Sequence, residues 1–353
     1  MTMTDTIDAE GLLHAQAENP KMRPRDLARQ LNVPEAALVA AQLGHGARRI
    51  TAHPDALMPY VKGLGTVMAL TRNESAVHEK IGVYDNYHSG THAAMVLTQE
   101  IDLRIFPKHW RHAFAVEKET PSADIARSVQ VFDAAGDAVH KIILRQGSSD
   151  AGWQALRDAP DLDALQEAHP TYEPRPVTEP ARADISRVDV LRKEWAQMTD
   201  THQFMRLTSK LKMNRLGAYQ IAGAPFAERL EADSFNTALE ALSAASAQVM
   251  VFVGNRGCIQ IHSGAVDQLR QMGPWQNVMD PEFNLHLRLD HIAHVWRVQK
   301  PTKRGAALSL EAFDAEGGLI LQCFGLRKES GPDHSAAFTY IANQLPSLDP
   351  SED

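Results

Sequence analysis

The stretch EIDLRIFPKHWRHAFAVEK, Glu100 to Lys118, is written a second time as EFNLHLRLDHIAHVWRVQK, Glu282 to Lys300. Laid over each other, the two pair Glu100 with Glu282, Leu103 with Leu285 and His109 with His291. At the same offset His112 meets His294, Phe114 meets Trp296, Val116 meets Val298 and Lys118 meets Lys300. In IDLRIF the apolar Ile101, Leu103 and Ile105 alternate with Asp102 and Arg104, and in NLHLRL Leu285, Leu287 and Leu289 alternate with His286 and Arg288. Such period-two alternation reads as a strand with one buried face. Arg104 and His286 therefore hold one polar position in two copies of a unit.

The repeat runs further, and a repeat of this length outranks local signals in deciding the fold. VMALTRNESAVHEKIG from Val67 matches VMVFVGNRGCIQIHSG from Val249, keeping Asn73 with Asn255 and Gly82 with Gly264. FDAAGDAVHKIILR from Phe132 matches FDAEGGLILQCFGLR from Phe313, with one residue inserted before Arg327. DLARQLNVPEAALVAAQ from Asp26 weakly matches RLTSKLKMNRLGAYQIA from Arg206. Between the copies lies EAHPTYEPRPVTEPARAD, a poor helix and a poor strand because of its prolines. The division that follows is an N-terminal repeat over residues 1–165, a Pro-rich linker over 166–186 and a C-terminal repeat over 187–353.

Each copy opens with helical spacing, Leu27, Leu31, Ala36 and Val39 in the first and Phe204, Leu207 and Leu211 in the second. Short alternating strands follow, and DAAGD and DAEGG have the composition of hairpin turns. Helices segregated from consecutive antiparallel strands make an α+β fold of two tandem homologous halves.

The chain of 353 residues is long enough for two cores, and its net charge of −8 argues against a protein whose main task is gripping nucleic acid. The acidic N-terminus lacks the order of a signal peptide, and no apolar run approaches the roughly 20 residues of a membrane helix. Two lone cysteines, Cys258 and Cys323, fit a reducing cytoplasm. One local exception to the acidity is the basic segment RPRDLARQLNVPEAALVAAQLG, which has the outline of a helix-turn-helix with its turn at Asn32-Val33-Pro34.

Sixteen histidines are present, and histidine is the commonest ligand of transition metals and a haem ligand. His202 opens the helix of TDTHQFMRLTSKLKMNRLGAYQ, whereas copy one has Met22 there. A lone histidine at a helix start reads either as a polar cap or as an axial metal ligand. Arg104 reads either as a solvated strand cation or as a donor aimed into a pocket. Arg215, Lys300 and Arg327 carry the same two readings, and with Gln322 they form a set that suits a dianionic ligand. Trp110, Trp296 and Phe106 at strand spacing read as core. The chain has no glycine-rich phosphate loop, zinc-protease helix or nucleophile elbow.

The doubled EIDLRIF unit with its W and AFAV, the stretch VMALTRNESAVHEK with GVYDN, and D-x-H-x-F followed by NR and AY resemble the bacterial cytoplasmic haem-trafficking and haemin-degrading proteins of the HemS/ChuS/HmuS type. The resemblance spans the chain from Arg23 to Glu329. It implies two similar halves, each a large twisted antiparallel sheet flanked by helices, with haem b (iron protoporphyrin IX) held between them. It also implies that His202 ligates the iron and that Arg104 lies on the distal side, with Phe106 lining the same pocket. Arg215, Lys300, Gln322 and Arg327 are then the propionate-side residues. Some relatives place further histidines directly after the ligand, whereas Gln203, Phe204 and Met205 follow it here. His286, His291, His294 and His78 are the reserve candidates.

Three functions remain in view from the sequence. The first is a carrier that takes haem from an inner-membrane importer to an oxygenase. The second is an enzyme that opens the ring itself, with a reductase as electron donor and Arg104 as the catalytic distal residue. The third is a haem-responsive DNA-binding regulator that uses the helix-turn-helix-like segment. The expected assembly is a cytoplasmic monomer or dimer.

Overall fold

Alternation in the repeated stretches is realised strand by strand. Ile101, Leu103 and Ile105 are fully buried while Asp102 and Arg104 are half-exposed, and Leu285 and Leu287 repeat the pattern against His286 and Arg288. The computed structural model describes residues 7–120, 124–327 and 333–348. Over these residues the chain is α+β and divides into two units. One comprises Met1–Arg72, Glu79–Pro176 and Gly254–Gln260; the other comprises Asn73–His78, Val177–Val253 and Ile261–Asp353.

In the first unit an antiparallel run orders the strands Ala47–Ile50, His112–Glu119, Ile125–Phe132, Ala138–Leu144 and Val67–Arg72. The second unit orders Ala227–Leu230, His294–Lys300, Ala307–Phe313, Leu319–Gly325 and Val249–Gly254 in the same way. Each also holds a three-stranded run, Tyr87–His88 with Ala94–Leu97 and Asp102–Ile105 in the first, and Leu269–Met272 with Trp275–Asp280 and Phe283–Arg288 in the second. The sequence repeat is thus a repeat of topology.

Local chemistry explains why the repeated residues are repeated. The DAAGD and DAEGG turns each place a glycine in the left-handed region, Gly136 at φ 78° and Gly317 at φ 89°. The register shifts beside both turns, between Val131 and Phe132 and between Ala312 and Phe313. The Asn255 side chain caps its turn by accepting from the Gly257 and Cys258 amides at 2.9 and 3.0 Å, and its Nδ2 donates to the Val139 carbonyl at 2.8 Å. Asn73 accepts from Ser75 and Ala76 at 2.9 Å and donates to the Ile320 carbonyl at 2.7 Å. An aspartate could not make both kinds of bond, since it has no N–H to give.

The linker has no helix or strand from 167 to 183, but it is docked at both ends. The Glu173 amide donates to Ala134 O at 2.8 Å in the first unit, and Arg175 grips the Asp137 carboxylate. In the second, Asn214 Nδ2 donates to Pro180 O at 2.6 Å while its Oδ1 accepts from the Arg182 amide at 2.9 Å.

The helix-turn-helix expectation does not hold. Its segment forms Pro24–Leu31 and Glu35–Ala40, joined through Asn32 at φ 53°. The second helix has six residues, of which Glu35, Ala36, Leu38, Val39 and Ala40 are buried. Glu35 is spent on Lys141 at 2.5 Å. Such a helix has no exposed face to lay in a groove. No helix of the described residues is long and apolar enough to cross a membrane.

The first unit buries a polar chain where the second is aliphatic. Tyr84 Oη lies 2.6 Å from His140 Nε2, and His140 Nδ1 lies 2.8 Å from Thr71 Oγ1, which donates to Cys258 Sγ at 3.6 Å. The repeat places Val266, Leu321, Val253 and Ala76 at the corresponding positions, all buried and apolar. Burial pushes the His140 pKa down to about 3, so the folded protein resists a proton that the unfolded chain accepts near 6.5. Its contribution is whole above pH 6.5 and is lost as the pH falls towards 3. His112, lowered to about 4 by burial and then by the charge of Arg49, acts in the same direction. Wild type should therefore lose on the order of 3 kcal/mol through His140 alone between pH 7 and pH 4. His140→Leu should flatten that part of the curve, as read by denaturant melts across the range. A slope unchanged by the substitution would exclude His140 as its source.

Candidate functional site

The helix Gln203–Lys210 buries Phe204 and Leu207 against Trp195, with the Phe204 and Trp195 ring centroids 4.5 Å apart. That fixes the helix and leaves its opening turn outside. His202 stands at its N-cap position, makes no capping bond through its side chain, and has 90% of that side chain exposed. Asp200 Oδ1 accepts from the His202 amide at 2.7 Å and lies 2.8 Å from its Nδ1. The Asp200 carboxyl is held low, first by the amide and then by the ring. This pairing places the ring proton on Nδ1 and turns the Nε2 lone pair outward, the arrangement of a metal-ligating imidazole with its orienting carboxylate.

One turn along, the Met205 sulfur lies 3.6 Å from Arg215 Nη2. Arg215 begins the helix Arg215–Ala222, where Asn214 caps the Gly217 amide. Its Nη1 donates to Glu311 Oε2 at 2.9 Å and to Tyr219 Oη at 3.3 Å. Lys300, at the end of its strand, donates to Glu311 Oε1 at 2.8 Å and to Tyr219 Oη at 2.9 Å. Tyr219 donates to Glu311 Oε2 at 2.9 Å, and Ser309 Oγ donates to Oε1 at 2.9 Å. Burial opposes the charge of Glu311, yet Lys300 and Arg215 outweigh it and hold the carboxyl down to about 2. Burial likewise lowers Lys300 to about 8, against the pull of Glu311.

Register sets what lies beside this cluster. Trp296, Glu311, Gln322 and Phe252 face one another in a row across four strands, and Val298, Ser309, Phe324 and Met250 form the next row. Helices cover one end, where Trp296 and Val298 are buried. At the other end Met250, Phe252, Gln322 and Phe324 are half-exposed, with the Phe252 and Phe324 rings edge to face at 5.2 Å. A greasy surface thus adjoins a cationic cluster, and the helix that begins at the outward imidazole meets that cluster through Met205.

The expected residues are distributed unevenly. Arg215, Lys300 and Gln322 come together, with His202 on the adjoining helix. Arg327 is engaged elsewhere, 3.1 Å from Asp333 and against the carbonyls of Gly305 and Ala306. Arg104 belongs to the first unit, where it pairs with Asp102 and donates to Leu103 O at 3.2 Å. Phe106 is half-buried there, its amide donating to Gly257 O at 2.9 Å. Of the reserve histidines, His286 lies 2.6 Å from Asn277 Oδ1, His291 3.0 Å from Ser75 Oγ and His294 3.2 Å from Arg229, while His78 is buried against Phe283. None matches the exposure of His202.

Glu311 and Tyr219 escaped the sequence reading. One signal was available for Glu311: the strand ALSLEAF carries a single carboxylate amid apolar residues, where copy one has Gln130. Copy one reverses the polarity of the row, with Lys141 in the place of Gln322 and Glu35 in the place of Arg215. Copy one has Met22 where copy two has His202.

The haemin-degrading HemS.ChuX domain model matches residues 32–159 and again 212–345, once in each copy, and the chain belongs to that family. Among its relatives, the hemin transport protein HmuS of Yersinia pestis is 37% identical over 337 residues, covering 94% of this chain and 96% of the relative. HemS of Yersinia enterocolitica, also a hemin transport protein, is 35% identical over 333 residues, covering 92% and 94%. Among solved structures, holo-PhuS, a heme-binding protein from Pseudomonas aeruginosa, superposes with TM-score 0.89 at 40% identity, covering 96% of this chain and 98% of that one. ChuS, an E. coli heme oxygenase, superposes with TM-score 0.84 at 31% identity, covering 95% and 99%.

Proposed function

We propose that this protein binds haem b in the cytoplasm as part of haem uptake and use and delivers it onward; ring opening at the same site, releasing iron, is the second reading. The observation that carries this reading is the outward Nε2 of His202, fixed by Asp200, on a helix whose Met205 meets Arg215 of the cationic cluster. Haem is an apolar plate with two carboxylates, and these groups match it part for part: an imidazole for the iron, aromatic rings for the plate, a guanidinium for an acid. When bound, the group supplies a redox-active iron. Asp200 keeps the Nδ1 proton in place so that Nε2 donates its lone pair. Met250, Phe252 and Phe324 exclude water, and Arg215 orients a carboxylate. The guanidinium of Arg104 presents N–H donors and no acceptor, so it serves as a hydrogen-bond donor and not as an iron ligand. The names of the relatives point both to transport and to ring opening; an inner-membrane importer is the proposed donor, with an oxygenase as partner if the protein delivers haem or a reductase if it opens the ring.

The carboxylate contact is tested with haem dimethyl ester. Arg215→Ala should weaken haem binding by about 1–3 kcal/mol, the worth of a charge-assisted hydrogen bond, and leave ester binding unmoved. Equal weakening for both ligands would show that Arg215 does not meet the acid.

A further inference from the structure

Lys300 was expected to reach the ligand, but its surroundings say otherwise. Its side chain is 4% exposed, its ammonium lies over the Phe204 and Tyr219 rings at 5.0 and 5.3 Å, and its named bonds run to Tyr219 and Glu311. The four bonds from Lys300, Ser309, Arg215 and Tyr219 occupy both oxygens of Glu311, which is fully buried. Arg215 is different. Its side chain is 22% exposed, and Nη2 has only the weakly accepting Met205 sulfur for company in this cluster. We propose that Glu311 and Lys300 are positioning residues that set the charge of the site: the buried carboxylate cancels one of the two cations, aims Arg215, and leaves the ligand's acid group one net positive charge instead of two.

This rests on the haem-binding reading and adds a purpose to it. A carrier must release its cargo, and two uncompensated cations at a desolvated rim would hold a dianion too firmly. The repeat shows that the carboxylate is not required for the strand to form. Copy one has Gln130 at this position, whose Nε2 donates to Ser128 Oγ at 3.1 Å, whereas Glu311 Oε1 accepts from Ser309 Oγ at 2.9 Å. The negative charge is a property of the copy that carries His202.

The test is the rate of haem transfer from the full chain to excess apomyoglobin at pH 6, with melting curves to confirm folding. Glu311→Gln should slow release by about tenfold, and Lys300→Gln should speed it by about tenfold. Adding Lys300→Gln to Glu311→Gln should reverse the slowing, because the surplus cation is gone. This double variant and the Lys300 single variant keep the test decisive should Glu311→Gln fail to fold. In Glu311→Gln the slowing should fade as the pH is raised towards 9, when Lys300, facing Tyr219 and Arg215 without its carboxylate, gives up its proton. Haem dimethyl ester should show none of the ordering. If the double variant releases haem as fast as Lys300→Gln alone, Lys300 touches the ligand and the proposal is wrong. The same ordering with the ester would make the effect structural and overturn it equally. Unchanged rates in variants that still bind haem sink this proposal alone, whereas a wild type that binds no haem sinks the functional reading with it.

Discussion

His202→Ala should lower haem affinity by more than about 100-fold, since even an outer-shell partner of a metal ligand is worth about 10–100-fold. Asp200→Ala is that outer-shell change, and it should fall within the 10–100-fold range. The ranking follows from geometry: Nε2 is the donor, and Asp200 only selects the tautomer and the ring orientation. Haemin titration of the apo chain, followed in the Soret region, measures both. Equal losses would mean that Asp200 holds the helix start rather than the ring. An unchanged affinity and spectrum in His202→Ala would move the ligand to another histidine, with His286 and His78 next in line.

The second large effect concerns Arg104. If the protein opens the ring, Arg104→Ala should reduce turnover by about 100-fold or more, the scale set by removal of one preorganised donor, while affinity changes little. If it only carries haem, the substitution should alter the spectrum and the release rate and nothing else. Haem-loaded wild type and variant are supplied with a reductase and NADPH, with catalase present because free peroxide degrades haem in many proteins that are not oxygenases. We expect delivery to dominate. A linear tetrapyrrole and free iron from wild type but not from Arg104→Ala would reverse that order and make Arg104 a catalytic residue.

How much of this was legible in the sequence depends on how local the cause is. Alternation at Ile101, Leu103 and Ile105, the glycines of the two turns and the capping asparagines Asn73 and Asn255 act within a few residues, and all were readable from the repeat. The helix Glu35–Ala40 read as the second helix of a helix-turn-helix outline. Its burial is decided by residues far along the chain, such as Phe114, Phe132 and Lys141. Lys300 read either as a solvated cation or as a ligand clamp, and its burial in a cluster escaped notice for the same reason. Its carboxylate partner is eleven residues away on the next strand, and the tyrosine bonded to both lies 81 residues upstream. A cluster closed by such long-range bonds leaves its trace only in the comparison of copies, as the exchange of Gln130 for Glu311.

The central claim, that one haem is held through His202, is tested most directly by mapping which histidines haem protects. Diethyl pyrocarbonate modifies exposed imidazoles, and peptide mass spectrometry assigns each modified site. The account predicts that His202, almost fully exposed in the free chain, is modified readily without haem and becomes protected at one equivalent of haem, while the exposed His14, on a helix far along the chain from it, is modified equally in both states. Continued modification of His202 with haem fully bound, or protection that falls on another histidine instead, would contradict it.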